Sequence, residues 1–149
     1  MKQQQTFEVR PIGVVRSPYM HRGDAPRQGR EKPDIEMNIE IFEPFQKGLG
    51  SFDGISHVII LLWFDRANRD RLHSKPPLAK TERPVFTTRS PHRPNPIGFE
   101  IGRLISVKPG ALRVSGLDAL DGTPVVDIKP YVPSLDCVPN AEKSGITPE

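Results

Sequence analysis

The stretch "IGFEIGRLISVKPGALRVSGL", Ile97–Leu117, decides the fold class. It contains two runs of strand length, rich in β-branched residues, with the turn signal Lys108-Pro109-Gly110 between them. No 3.6-residue period runs through it, so it reads as extended chain rather than helix. Working outward, "DIEMNIEIF" (Asp34–Phe42) alternates strictly, with Ile35, Met37, Ile39 and Ile41 on one face and acids with Asn38 on the other. That is the pattern of a half-buried strand. "ISHVIILLWF" (Ile55–Phe64) does not alternate and reads as a central strand buried on both faces, with a short buried helix as the rival reading. "PIGVVRSPY" (Pro11–Tyr19), "VFTT" (Val85–Thr88) and "PVVDIKPYV" (Pro124–Val132) complete a set of short strands separated by turn residues. The expected fold is all-β, mainly an antiparallel barrel, with long irregular loops and little helix. One domain over residues 1–149 is expected, with no C-terminal extension domain.

Between the strands lie Met20–Asp34, a loop of glycines, prolines and charges, the connector Glu43–Gly54, and the polar excursion Asp65–Arg83. Prolines number 17 in 149 residues and are scattered, which fits many fixed turns rather than a linker or a collagen-like repeat. Net charge is +3, a mild bias toward anionic partners. It is concentrated in Arg16–Lys32 and Arg66–Arg83, each of which also reads as a solvated surface.

Several chemistries lack their motifs. His21, His57, His73 and His92 are far apart, and no Cys-x-x-Cys or His-Glu-x-x-His is present, so no metal site is expected. Cys137 is the single cysteine, which fits a reducing compartment and reads as a spare thiol. The glycines of "GLGSFDG" do not match the dinucleotide fingerprint. The N-terminus lacks the apolar run of a signal peptide, and the longest apolar run, Val58–Phe64, is too short to cross a bilayer. A soluble cytoplasmic protein with no membrane contact is expected.

Two segments carry more. In "RSPHRPNP" (Arg89–Pro96), Ser90, Arg93 and Asn95 each precede a proline, so almost every backbone position is restricted. A segment this stiff presents side chains with little ordering cost, and Arg89 and Arg93 suit a carboxylate or phosphate. A rigid surface turn is the alternative. In "GLDALDGTPVVDIKPYVP" (Gly116–Pro133), Asp127, Lys129 and Tyr131 share a strand face by period two. They suit proton transfer or substrate orientation. A surface ladder is the alternative.

Taken in order, "PIGVVRSPY", "APRQ", "ISHVIILLWF", "TRSPHRPNPIG" and "LDALDGTPVVDIKPYVP" resemble the TsaA-like (TrmO-type) family of S-adenosylmethionine-dependent tRNA methyltransferases. The resemblance spans nearly the whole chain. It implies a β-barrel homodimer that methylates N6 of threonylcarbamoyladenosine at position 37, in the tRNA anticodon loop. Carried over by motif, the cofactor contacts fall on Pro26, Arg27, Gln28, Asp65, Arg66 and Arg89. They continue at Ile101 and across Asp118, Ala119, Leu120, Asp121 and Gly122. Within this frame Asp127, Lys129 and Tyr131 are the candidate catalytic residues, and Arg93, Asn95 and Lys129 the candidate substrate contacts. Two rivals keep less of that function: an RNA-binding barrel without catalysis, and an S-adenosylmethionine-dependent enzyme on another small substrate.

Overall fold

The computed structural model describes residues 5–143. Six strands close into a barrel in the order β1-β2-β7-β6-β3-β8, every neighbouring pair antiparallel. They are β1 (Gly13–Arg16), β2 (Glu36–Ile41), β3 (His57–Trp63), β6 (Ile97–Lys108), β7 (Ala111–Ser115) and β8 (Pro124–Pro130). The all-β barrel expected from strand spacing is the fold observed.

Register follows the alternation. On β2, Met37, Ile39 and Ile41 point inward; Ile39 pairs with Val15 of β1 and Leu112 of β7, and Met37 with Val114. Closure removes the exposed strand edges that an open sheet would carry. β3 differs from its expected two-sided burial. Val58, Ile60 and Leu62 are fully buried, whereas on the other face only Ile59 is buried and His57, Leu61 and Trp63 are half-covered. It is a wall strand with one core face, not a strand sandwiched between layers.

The inner face of β6 is the unusual one. Opposite Leu62, Ile60 and Val58 stand Gly98, Glu100 and Gly102. A Cβ on Gly98 would run into the Phe64 ring, and one on Gly102 would lie 3.0 Å from Leu117 Cδ2. The two glycines make room for Phe64 and Leu117, and Glu100 is left as the polar side chain between them. Meanwhile Ile97 and Phe99, apolar, point outward at 48% and 47% exposure.

Two readings are corrected. "VFTT" is not a strand but a 3₁₀ turn, Val85–Thr87. Val85 is buried there, and Thr87 and Thr88 hydroxyls donate back to the carbonyls of Pro84 and Val85 at 2.7 and 3.1 Å, a local bond that competes with a sheet ladder. The polar excursion also contains structure: β4 (His73–Ser74) and β5 (Arg83–Pro84) form a two-stranded ribbon. The tail past Val132 begins with one helical turn, α1 (Pro133–Asp136).

Candidate active site

A cleft of about 860 Å³ opens at one end of the barrel, within the size range of small-molecule sites. Six stretches of chain meet there: the loop after β1, the end of β3, Lys75–Pro77 after β4, the proline-stiffened segment, the start of β6 and the loop between β7 and β8.

The proline-stiffened segment is braced from within. Arg93 Nη1 donates to the carbonyls of Thr88 and Ser90 at 3.0 Å each, and Nη2 to that of Val85 at 2.9 Å. Its guanidinium is occupied by main-chain oxygens, a strut rather than a cation held out to solvent. Arg69 braces the other end, donating to Pro94 O at 2.8 Å and Asn95 Oδ1 at 3.3 Å while lying over the Trp63 ring. His92 joins three stretches: Nδ1 accepts from the Asn68 N–H at 2.9 Å, and Nε2 lies 2.8 Å from Arg22 Nη1. Burial first, then the charges of Arg22 and Arg71, lowers its pKa and favours the neutral ring.

The loop between β7 and β8 is stitched down by its backbone. Asp121 N–H donates to Tyr19 O at 2.7 Å, Gly122 N–H to Val15 O at 2.8 Å, and Asp121 Oδ1 accepts from Ser17 N–H at 3.0 Å. Arg66 Nη2 donates to Asp121 O at 2.6 Å, tying the end of β3 to the same loop. Gly122 has φ +82°, a conformation that costs glycine little and an L side chain much. These bonds place Asp118, Ala119 and Leu120 along the cleft.

Of the residues singled out in the sequence, Pro26, Arg27 and Gln28 line the cleft, as do Asp65, Arg66 and Arg89. Asp118, Ala119 and Leu120 line it as well, and so do Arg93 and Asn95. Ile101 borders a smaller adjoining hollow of about 160 Å³. Asp121 and Gly122 sit behind the wall and hold it. Asp127, Lys129 and Tyr131 are not among the lining residues. Asp127 and Lys129 pair with Leu61 and Ile59, on the outer face, where Lys129 Nζ bonds Asp127 Oδ2 at 2.9 Å.

Glu100 was missed. Its Oε1 accepts a hydrogen bond from the Asp118 N–H at 2.7 Å. Period two from Gly98 and Gly102 is the sequence signal that places it with them, but apolar Ile97, Phe99 and Ile101 look like the core face. Burial first, then hydrogen bonding to and the charge of Asp118, push its carboxyl well above the usual range; the Asp118 backbone bond and Arg89 act the other way. Among the described residues no group of three or more His, Cys, Asp or Glu side chains could hold a metal ion.

Residues 14–137 match the family model of the tRNA-methyltransferase O N-terminal domain. The chain belongs to that family. It is 53% identical over 91% of its length to one S-adenosyl-L-methionine-binding protein of Archaeoglobus fulgidus, and 49% identical over 90% to another. It spans 37% of the first and 96% of the second. A tRNA (adenine(37)-N6)-methyltransferase of Rattus norvegicus is 36% identical over 89% of this chain and 32% of its own length. The crystal structure of TrmO from Pseudomonas aeruginosa superposes with a TM-score of 0.81 at 39% identity, over 94% of this chain and 62% of that one.

Proposed function

We propose that this chain binds S-adenosylmethionine in the cleft and transfers its methyl group to N6 of threonylcarbamoyladenosine at position 37 of tRNA. The observation that carries the reading is the convergence of the proline-stiffened segment and the Asp118–Leu120 loop on one cavity. The family match and the rat relative's activity on adenine 37 support it.

The cofactor, when bound, supplies a methyl sulfonium, an electrophile that needs alignment and water exclusion more than activation. Phe64, Ala119 and Leu120 give the cleft an apolar lining. Arg22, Arg27, Lys75 and Arg89 give it cations for a carboxylate and for flanking phosphates. The transfer forms a bond between N6 and the methyl carbon, breaks the sulfur–methyl bond and releases the N6 proton to a base. The carbamoyl group acidifies that N–H, so a modest base suffices.

Asp127, Lys129 and Tyr131 are the proposed base and substrate-holding residues, and a homodimer reconciles this with their place on the outer wall. The outer face of β3 and β6 carries apolar pairs, Trp63 with Ile97 and Leu61 with Phe99, continuous with Asp127 and Lys129 on β8. A second copy docked on this face covers the exposed rings and brings its β8 residues toward the cleft mouth. A tRNA substrate places the enzyme in the cytoplasm.

The test is incubation of purified protein with methyl-labelled cofactor and tRNA that carries or lacks the threonylcarbamoyl group. Label incorporated only into modified tRNA is the expected result. Incorporation into neither, with the cofactor bound, points to a different small substrate; salt-sensitive tRNA binding indifferent to cofactor points to an RNA-binding barrel.

A further inference from the structure

Two buried side-chain oxygens among the described residues have no hydrogen-bond partner: Tyr19 Oη and Glu100 Oε2. Burial first, then the charge of Asp118, raises the Tyr19 phenol; burial first, then hydrogen bonding to and the charge of Asp118, raises the Glu100 carboxyl. Orphaned buried oxygens are uncommon and costly. The one on Glu100 borders the cleft and marks a place arranged for something other than the free protein's own packing.

That place is the cleft floor. Glu100 points inward from β6 between two glycines, opposite fully buried Ile60. An ionised carboxylate there bears a desolvation cost and stands near the charge of Asp118, so Glu100 favours its protonated form. We infer that the unpartnered Glu100 Oε2, set in the cleft wall beside the Asp118 backbone, seats the positive charge of a cationic ligand, and that Glu100 gives up its proton when that charge arrives.

This rests on the cofactor reading, since S-adenosylmethionine carries two candidate cations, a sulfonium and an α-ammonium. On binding, the Glu100 carboxyl passes from neutral to negative: its O–H bond breaks, the proton leaves to solvent, and no other bond changes. The ionisable groups that act on it are Asp118, which disfavours the charged form of Glu100, and Arg89, which favours it; the charge of Asp118 also acts on Tyr19, whose pKa is raised first by burial. Lys32 lies on the far side, its Nζ 5.9 Å from the Tyr19 ring centre.

Calorimetric titration of the whole protein with S-adenosylmethionine, in two buffers of different ionisation enthalpy, counts the protons exchanged on binding. The expected result is release of up to about one proton per cofactor, fading as pH rises through the raised pKa of Glu100. Glu100→Gln should bind the cofactor more weakly and release almost no proton. S-Adenosylhomocysteine, which keeps the ammonium but has no sulfonium charge, assigns the seat: equal release places the ammonium there, and loss of release places the sulfonium. Adenosine, with neither cation, should release nothing. Binding of the cofactor without proton release, or undiminished release from Glu100→Gln, overturns this role of Glu100. Absence of any binding heat overturns the cofactor reading itself, and the inference with it.

Discussion

Glu100 Oε1 accepts a 2.7 Å hydrogen bond from the backbone N–H of Asp118, so the inner wall of the barrel holds the loop that forms one side of the cleft. The bond joins residues 18 apart in sequence and makes loop position depend on a buried carboxyl.

Glu100 gives a pH signature to stability. Its folded pKa lies above the ordinary 4.5, so the stability it contributes is complete below that value and is lost as pH rises through the folded pKa. Each tenfold difference in proton affinity between the folded and unfolded chain corresponds to about 1.4 kcal/mol. Urea unfolding of wild type and Glu100→Gln across pH should show the wild type losing stability relative to the variant as pH rises from the ordinary carboxylate range. A constant difference would contradict this.

Gly98 and Gly102 separate two kinds of crowding on β6. Gly98→Ala forces a methyl against the Phe64 ring and should cost about 1–3 kcal/mol. Because Phe64 also lines the cleft, cofactor affinity should fall with it. Gly102→Ala meets the tip of the Leu117 side chain at 3.0 Å, which can yield, and should cost less. Denaturant midpoints of the two variants decide the order.

Arg93→Lys should loosen the proline-stiffened segment. A lysine ammonium cannot reproduce a guanidinium fork that reaches three carbonyls, and the loss should be about 1–3 kcal/mol. Thermal melting measures the stability, and amide exchange at His92 reports the segment itself.

Lys129→Ala should lower turnover while changing stability by less than about 1 kcal/mol, since its ion pair with Asp127 is exposed. If cleft and β8 residues come from different subunits, mixing inactive Lys129→Ala with inactive Arg89→Ala and allowing exchange should restore about one quarter of wild-type activity. No recovery after demonstrated exchange would place both residues in one subunit's site or remove Lys129 from it.

Leu61→Glu should disrupt the proposed dimer by placing a charge on the outer apolar face, at a residue that does not line the cleft. Light scattering should show monomer, and methyl transfer should drop with it. A monomeric wild type would refute the interface directly.

Alternation along Glu36–Ile41, the turn residues and the absence of helical period were enough to read an antiparallel barrel, because side-chain direction in a strand is a local property of period two. The chemical character of Arg89–Pro96 was also legible, since proline restricts its own backbone and that of its neighbour. Which face of β6 turns inward was not legible. Ile97 and Phe99 are apolar yet exposed, and Glu100 is charged yet inside, because register with β3 and room for Phe64 and Leu117 outweigh hydrophobicity there. Arg93 looked like an anion receptor, and only folding shows its guanidinium spent on carbonyls of residues three to eight positions away. Local sequence therefore determined strands, turns and stiffness. The pairing of Glu100 with Asp118, and the position of Asp127 and Lys129 on the outer wall, were decided by barrel closure, which sets distances between residues far apart in the chain.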